Sequence, residues 1–244
     1  MSPTPTPTRT AIVTGASRGL GLALTSALSR DGWRVVATAR TADDLVAATA
    51  GLPGVTAVAG DVADADHRHR LVATAGPRLD LLVNGASLLG PSPLPRLADV
   101  ALSALREVLE VNVVAPLGLV QTALPALRAA GGIVIDVTSD AAEGDWEGWG
   151  TYGASKAALD RVSAVLGTEE PQLAVYALDP GDMRTRMHAD AFPGEDISDR
   201  PLPEAVVGPI LDLVARRPSS GRYRVADLAV ADLAVAARPE EVRA

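Results

Sequence analysis

Residues 10–21 read Thr-Ala-Ile-Val-Thr-Gly-Ala-Ser-Arg-Gly-Leu-Gly, and from Leu20 to Arg30 apolar residues recur at helical spacing. The short apolar run predicts a buried strand, the stretch after it a helix, and the glycines fill the turn between them. That junction constrains the fold more than any other feature of the chain. Glycine lets the turn take positive φ, lets the backbone approach a pyrophosphate, and lets the helix pack closely on the strand. The helix N-terminus then faces the phosphates. The spacing is G-x-x-x-G-x-G rather than G-x-G-x-x-G, and it is the strand–loop–helix setting that makes it a nucleotide cradle. Gly15, Ser17, Arg18, Gly19, Leu20 and Gly21 are its expected contacts.

The second strand, 33–38, predicts what kind of nucleotide. An Asp or Glu at its end would hold the adenosine ribose hydroxyls. The chain instead reads Thr38-Ala39-Arg40, and Arg18 supplies a second guanidinium from the glycine loop. Two arginines without an acid suit a ribose 2′-phosphate, which Arg binds bidentately. NADP(H) is therefore expected over NAD(H). Asp43 and Asp44 lie just beyond and are expected to turn outward at a helix N-terminus.

Further strands are predicted at 54–59, 79–83, 132–138, 172–178 and 222–226. Helices are predicted at 64–75, about 98–130, about 152–166 and 204–216. Pro116 and Pro125 should kink or divide the long helix. His67 and His69 diverge on their helix and are read as exposed, so no metal site is expected. Residues 1–9 alternate Pro and Thr and read as an extended tail ahead of one domain, 10–244. Residues 186–203 hold Pro, Gly, Asp and a single histidine, and read as a lid.

The reactive residues sit further on. Tyr152 and Lys156 are four apart and share a helix face. A cation beside a phenol favours the phenolate, so Tyr152 is a candidate proton donor with a lowered pKa. Ser139, at the carboxyl end of the fifth strand, can orient a carbonyl against it. Open parallel sheets bind ligands outside those strand ends. Trp146 and Trp149 in the intervening loop, with Ser87 and His188, are the expected substrate pocket. Glu143, Asp145 and Glu147 in the same loop read either as a solvated acidic surface or as a bias toward neutral or cationic substrates.

Composition excludes several classes. The formal charge of −8 argues against nucleic acid held on a basic patch. Cysteine is absent, which removes disulfides and thiolate chemistry. There is no apolar leader at the N-terminus and no uninterrupted apolar run of the ~20 residues a membrane span needs. A cytoplasmic protein without a membrane partner is expected.

The segments Thr14 to Gly21, Asp61-Val62, Asn84-Gly85-Ala86, Asn112, Ser139, Tyr152-x-x-x-Lys156 and Pro180-Gly181 with Thr185 occur in register. Together they resemble the classical short-chain dehydrogenase/reductase family over about residues 10–228. The resemblance implies an α/β fold: a Rossmann-type doubly wound sheet of about seven mostly parallel strands with helices on both faces. It implies a catalytic set of Asn112, Ser139, Tyr152 and Lys156. In that set Tyr152 is the acid/base, Lys156 lowers its pKa and holds the nicotinamide ribose, Ser139 polarises the substrate oxygen, and Asn112 holds a water. Asp61 and Val62 would meet adenine, and Asn84, Gly85 and Ala86 the adenosine ribose side. Pro180, Gly181, Met183 and Thr185 would lie on the nicotinamide side, the last two holding the carboxamide. The implied activity is hydride transfer between NADP(H) and a carbonyl or secondary alcohol on a small molecule. A nucleotide-binding regulator without turnover, an epimerase or an imine reductase are the alternatives on the same scaffold. Apolar faces on the helices around 112–130 and 152–166 imply a homodimer or homotetramer.

Overall fold

The computed structural model describes residues 8–228. Seven strands form one parallel sheet: β1 Thr10–Thr14, β2 Arg34–Thr38, β3 Val55–Ala57, β4 Leu81–Asn84, β5 Ile133–Val137, β6 Ala174–Asp179 and β7 Gly221–Arg224. Their spatial order is β3-β2-β1-β4-β5-β6-β7, with every neighbouring pair parallel. Parallel strands need crossovers, and the helices that supply them cover both faces. This explains the apolar runs of the central strands. Ala11 and Val13 of β1 enter one core and Ile12 the other.

The first core is closed by α1 Gly19–Arg30, α2 Ala42–Thr49 and α8 Val207–Arg216, through residues such as Leu24, Leu28, Leu45 and Ile210. The second is closed by α3 Ala65–Ala75 and α5 Ala115–Ala130, through Leu71, Leu119, Ala123 and Leu127. The chain reverses its direction of winding between β1 and β4, and a crevice opens there at the strands' carboxyl ends.

The predicted long helix is continuous from Leu102 to Ala130 but changes character within it. After α4 Leu102–Leu109 comes a π turn, Glu110–Val114, and then α5. Pro116 has no N–H for the carbonyl of Asn112, four residues earlier, so an α-helical bond is missing where the wider turn sits. Pro125 lies inside α5 without ending it. By length and composition this helix could cross a membrane; here it buries Val108, Leu119, Val120, Ala123 and Leu127 beside the sheet.

At the N-terminus, residues 1–7 of the predicted tail lie outside the described residues. Arg9, also assigned to the tail, is engaged: its guanidinium stands over the Trp33 ring at 4.2 Å, and its carbonyl accepts from Arg34 N–H. The predicted lid contains α7 Arg186–Ala191 and a 3-10 turn, Pro203–Val206, which leads into α8.

Candidate active site

A cleft of about 560 Å³ runs along the carboxyl ends of the central strands. One end is built by the glycine loop. Gly15 has φ +72°, and a Cβ there would stand 2.9 Å from the Gly85 carbonyl oxygen; a Cβ on Gly21 would stand 2.3 Å from the Gly15 oxygen. Gly85 is equally tight, at 2.9 Å from the Thr14 oxygen. Thr14 Oγ1 accepts from the amides of Gly85 and Ala86, fixing the loop after β4 against the loop after β1. Arg18, the residue before α1, is extended and makes no side-chain cap. The first amides of α1 thus lack a capping partner and are open to an anion. Thr138 Oγ1, in the residue after β5, is buried, has no hydrogen-bond partner among the described residues, and lines the cleft. A side-chain-free cradle, an uncapped helix start and an orphaned hydroxyl fit a dinucleotide.

Gly15, Ser17, Arg18, Gly19, Leu20, Gly21, Arg40, Asp61, Val62, Gly85 and Ala86 all line this cleft. Asn84 does not. Its side chain is buried, and its Nδ2 donates to Asp136 Oδ1 at 2.7 Å, across the β4–β5 register that sets the two residues side by side. Asp44 also departs from expectation. Its carboxylate turns toward Arg18, at 3.8 Å, because α2 starts directly beside the glycine loop. For Arg40, no ion-pair partner is found among the described residues. His67, expected to be exposed, is fully buried. Its Nε2 pairs with Thr38 Oγ1 at 2.8 Å under the end of β2, and burial lowers its pKa, helped by Arg70.

At the other end the cleft is lined by Ser139, Tyr152 and Lys156. Tyr152 and Lys156 lie on α6 Gly150–Glu169, one turn apart. The Lys156 Nζ donates to the Val137 carbonyl at 2.7 Å and stands 5.4 Å from the centre of the Tyr152 ring. Burial pushes the Tyr152 phenol up to about 12, opposed by the hydroxyls of Ser87 and Ser139 and reinforced by Asp140 and Asp179. The expected lowering by Lys156 is not found: desolvation dominates, and the groups that act on the phenol are Ser87, Asp140, Asp179 and Ser139. Burial brings Lys156 itself down to about 8, with Asp136 and Asp160 opposing.

Asn112 lies behind this wall and does not line the cleft. Its Oδ1 accepts from Leu88 N and Ser87 Oγ, and its Nδ2 donates to Leu88 O and Ser155 Oγ. The side chain is filled by these bonds and positions the Ser87 loop against α6. Two features under the floor escaped the sequence reading. Asp136, in the middle of β5, is buried between Asn84 and Ser163, with its pKa raised by burial and pulled back by those bonds and by Lys156. Arg222 on β7 donates to Asp160 Oδ2 at 3.0 Å and to the Ser139 carbonyl at 3.1 Å, and pairs with Glu143 and Asp179. It ties the backbone of Ser139 to the helix that carries Lys156.

Pro180, Gly181, Met183 and Thr185 line the cleft, and the Thr185 hydroxyl caps α7 through His188 N. Of the predicted pocket, Ser87, Trp149 and His188 line the cleft. Trp146 does not: it is 49% exposed and meets Trp149 edge-on from outside, over Gly144. None of Glu143, Asp145 and Glu147 lines the cleft. Glu143 pairs with Arg222 and Arg224, and Glu147 with Arg96, which fits the solvated-surface reading.

Comparison with known proteins shows the family. Residues 9–196 match the family model described as short chain dehydrogenase. The short chain dehydrogenase penD of Penicillium thymicola is 36% identical over 165 residues, 62% of this chain and 60% of that protein's length. L-xylulose reductase of Bos taurus is 32% identical over 191 residues, 75% of each chain. A short chain dehydrogenase of Shigella flexneri, solved with NADP, superposes with a TM-score of 0.79 at 28% identity, covering 89% of this chain and 97% of that one.

Proposed function

Because the chain belongs to the short-chain dehydrogenase/reductase family of oxidoreductases, we propose that it interconverts a carbonyl and a secondary alcohol on a small molecule, with NADP(H) as cofactor. The observation that carries this is the meeting of Ser139, Tyr152 and Lys156 in one cleft with the glycine loop. Bound nicotinamide would supply or accept the hydride. The protein's part is to hold and protonate. The hydroxyls of Ser139 and Tyr152 orient the carbonyl oxygen, and Tyr152 gives it a proton. A phenol pushed up to about 12 is fully protonated at neutral pH, which suits the reductive direction. Lys156 holds the nicotinamide ribose and keeps a positive charge beneath the site. The Asn112 carbonyl, which Pro116 cannot bond, is the atom offered to a water that leads to Lys156. Consumption of reduced nucleotide across a panel of carbonyl compounds tests the reading. Nucleotide binding without turnover of any carbonyl would instead make the protein a regulator.

The preference for NADP(H) rests on Arg18 and Arg40, which line the cleft where relatives selecting NAD(H) would need a carboxylate. Asp44 competes for Arg18 across an exposed 3.8 Å pair. NADPH should bind roughly tenfold or more tightly than NADH, the scale of one or two charge-assisted contacts discounted for exposure. Titration of both nucleotides should show Arg18→Ala/Arg40→Ala losing that margin with little change for NADH. Asp44→Asn should widen it. Equal affinities in the unmodified protein would refute the assignment.

A homodimer or homotetramer is also part of the proposal, supported by the exposed Val114 and Val165 on the helices around the site. A solution mass showing only monomer at micromolar concentration would contradict it.

A further inference from the structure

The whole chain has three Trp, three Tyr and a single Phe. Three of these seven belong to the interior or its edge: Tyr176 and Tyr223 pack edge to face, and Trp33 lies under Arg9. Of the other four, Trp149, Tyr152 and Phe192 gather at the reacting end of the cleft, and Trp146 meets Trp149 from outside. Trp149 meets Tyr152 at 5.9 Å between ring centres and Phe192 at 5.7 Å, and Phe192 meets the His188 ring at 4.8 Å. Tyr152, Trp149 and Phe192 pack with Leu89, Ala141, Ala191 and Met187 in a small apolar cluster apart from the two cores that flank the sheet.

The aromatic group forms a wall. Trp149 and His188 line the cleft, with Leu89, Met187 and Ala191 completing the surface around Tyr152. Phe192 backs Trp149 and His188 from behind. The Met187 sulfur lies 4.0 Å from the Tyr152 hydroxyl, a flexible thioether suited to an aromatic neighbour. The polar side chains nearby are already engaged. Ser92 Oγ donates to the Asp190 carbonyl, Ser87 Oγ to Asn112, and His188 Nδ1 faces Asp182 at 3.6 Å, while the Ser139 hydroxyl, on Asp140 here, is the one that must turn to the carbonyl. A site for a polyhydroxylated substrate needs polar groups free to match each hydroxyl, since unmatched ones are costly to bury. This surface offers few. It offers flat apolar faces; of the carboxylates at its border Asp190 pairs with Arg186 and Asp182 with Arg200, which leaves Asp140 to disfavour an anionic substrate.

We infer that the substrate is an uncharged ketone or aldehyde bearing an aryl group, with the ring seated against Trp149 and Met187 and the carbonyl on Ser139 and Tyr152. This rests on the reductase reading above. Two measurements separate them. The first is kcat/KM with NADPH for acetophenone and for dihydroxyacetone. The aryl ketone should exceed the polyhydroxylated one at least ~tenfold, the scale of one large pocket contact. Trp149→Ala should cut that ratio by about the same factor, acting through KM, and Trp149→Phe should restore most of it. The second needs no turnover. With Trp33→Phe and Trp146→Phe, Trp149 is the sole tryptophan, and acetophenone should quench its emission saturably while dihydroxyacetone does not. Dihydroxyacetone reduced as well as acetophenone, or quenching that stays linear, overturns the inference and leaves the reductase reading intact. Saturable quenching with no carbonyl reduced upholds the aryl site and removes the reductase reading.

Discussion

Tyr152→Phe is expected to lower turnover by ~10² or more, the ordinary scale of acid/base catalysis, while nucleotide affinity stays within a few-fold. The substitution removes one oxygen and keeps the ring. That ring is buried with Leu89 and Ala141 and edge-on to Trp149, so the packing that places α6 survives. What is lost is the proton. Ser87 and Ser139 carry hydroxyls close by, but neither has a lysine beneath it. Measuring single-turnover consumption of NADPH alongside a nucleotide titration separates the two effects. Near-native turnover in the variant would show that another group is the acid. A matched loss of affinity and rate would show that the hydroxyl binds rather than reacts.

The parts of the site carried by backbone were legible in the sequence. Strands buried on both faces are apolar along most of their length, so β1, β5 and β6 stand out. A glycine loop between strand and helix is dictated by contacts as close as Gly21 on the Gly15 carbonyl. The four-residue interval from Tyr152 to Lys156 places both on one face of α6 without further information. The misreadings concern side chains whose partners come from elsewhere in the chain. The divergence of His67 and His69 on α3 says nothing of which one faces the sheet. The face of His67, shared at four-residue steps with Leu71 and Ala75, carried the correct answer, since all three are buried. Asp44 was read from helix-dipole preference alone, but Arg18 sits across a tertiary gap that no local rule describes. Trp146 and Trp149 are alike in sequence; only Trp149, immediately before α6, is turned into the cleft.

The polar floor shows the same limit in a more consequential form. Asp136 interrupts an apolar strand, a pattern that calls for partners, yet those partners are on β4 and α6. Arg222 is unremarkable in sequence, and its register on β7 brings it to Asp160, Glu143, Asp179 and the Ser139 carbonyl together. These groups surround Lys156 from below with two carboxylates, Asp136 and Asp160, that oppose its desolvation. The electrostatics of the site are therefore set by residues that do not touch the cleft. Without those two carboxylates, burial would push Lys156 still further below the ordinary lysine range.

That setting leads to the second large effect. Lys156→Met should lower turnover by ~10² or more and weaken nucleotide binding, yet leave the melting temperature at pH 7 unchanged or raised. Met nearly matches the buried volume, a swap cores tolerate. Lys156 is 2% exposed, and burial brings it down to about 8 from an ordinary 10.5. Between those values the unfolded chain holds more protons than the fold, so this group makes stability rise with pH; below about 8 its burial penalty is present in full. Met removes the penalty. The carboxyl left behind, Asp136, is hydrogen-bonded by Asn84 and Ser163 and is already displaced upward. Losing its cation raises it further, while the hydrogen bonds from Asn84 and Ser163 remain. Activity behaves differently, because the charge is the part that matters there. In the unmodified protein the reductive rate should fall as pH rises through about 8, where Lys156 loses its proton. Tyr152 cannot cause that limb, since its phenol is held up to about 12. A pH–rate profile of Lys156→Met should be low and flat across the same range. A limb that persists near 8 in the variant, or a melting temperature that drops by several degrees at pH 7, would show that Lys156 serves the fold rather than the reaction.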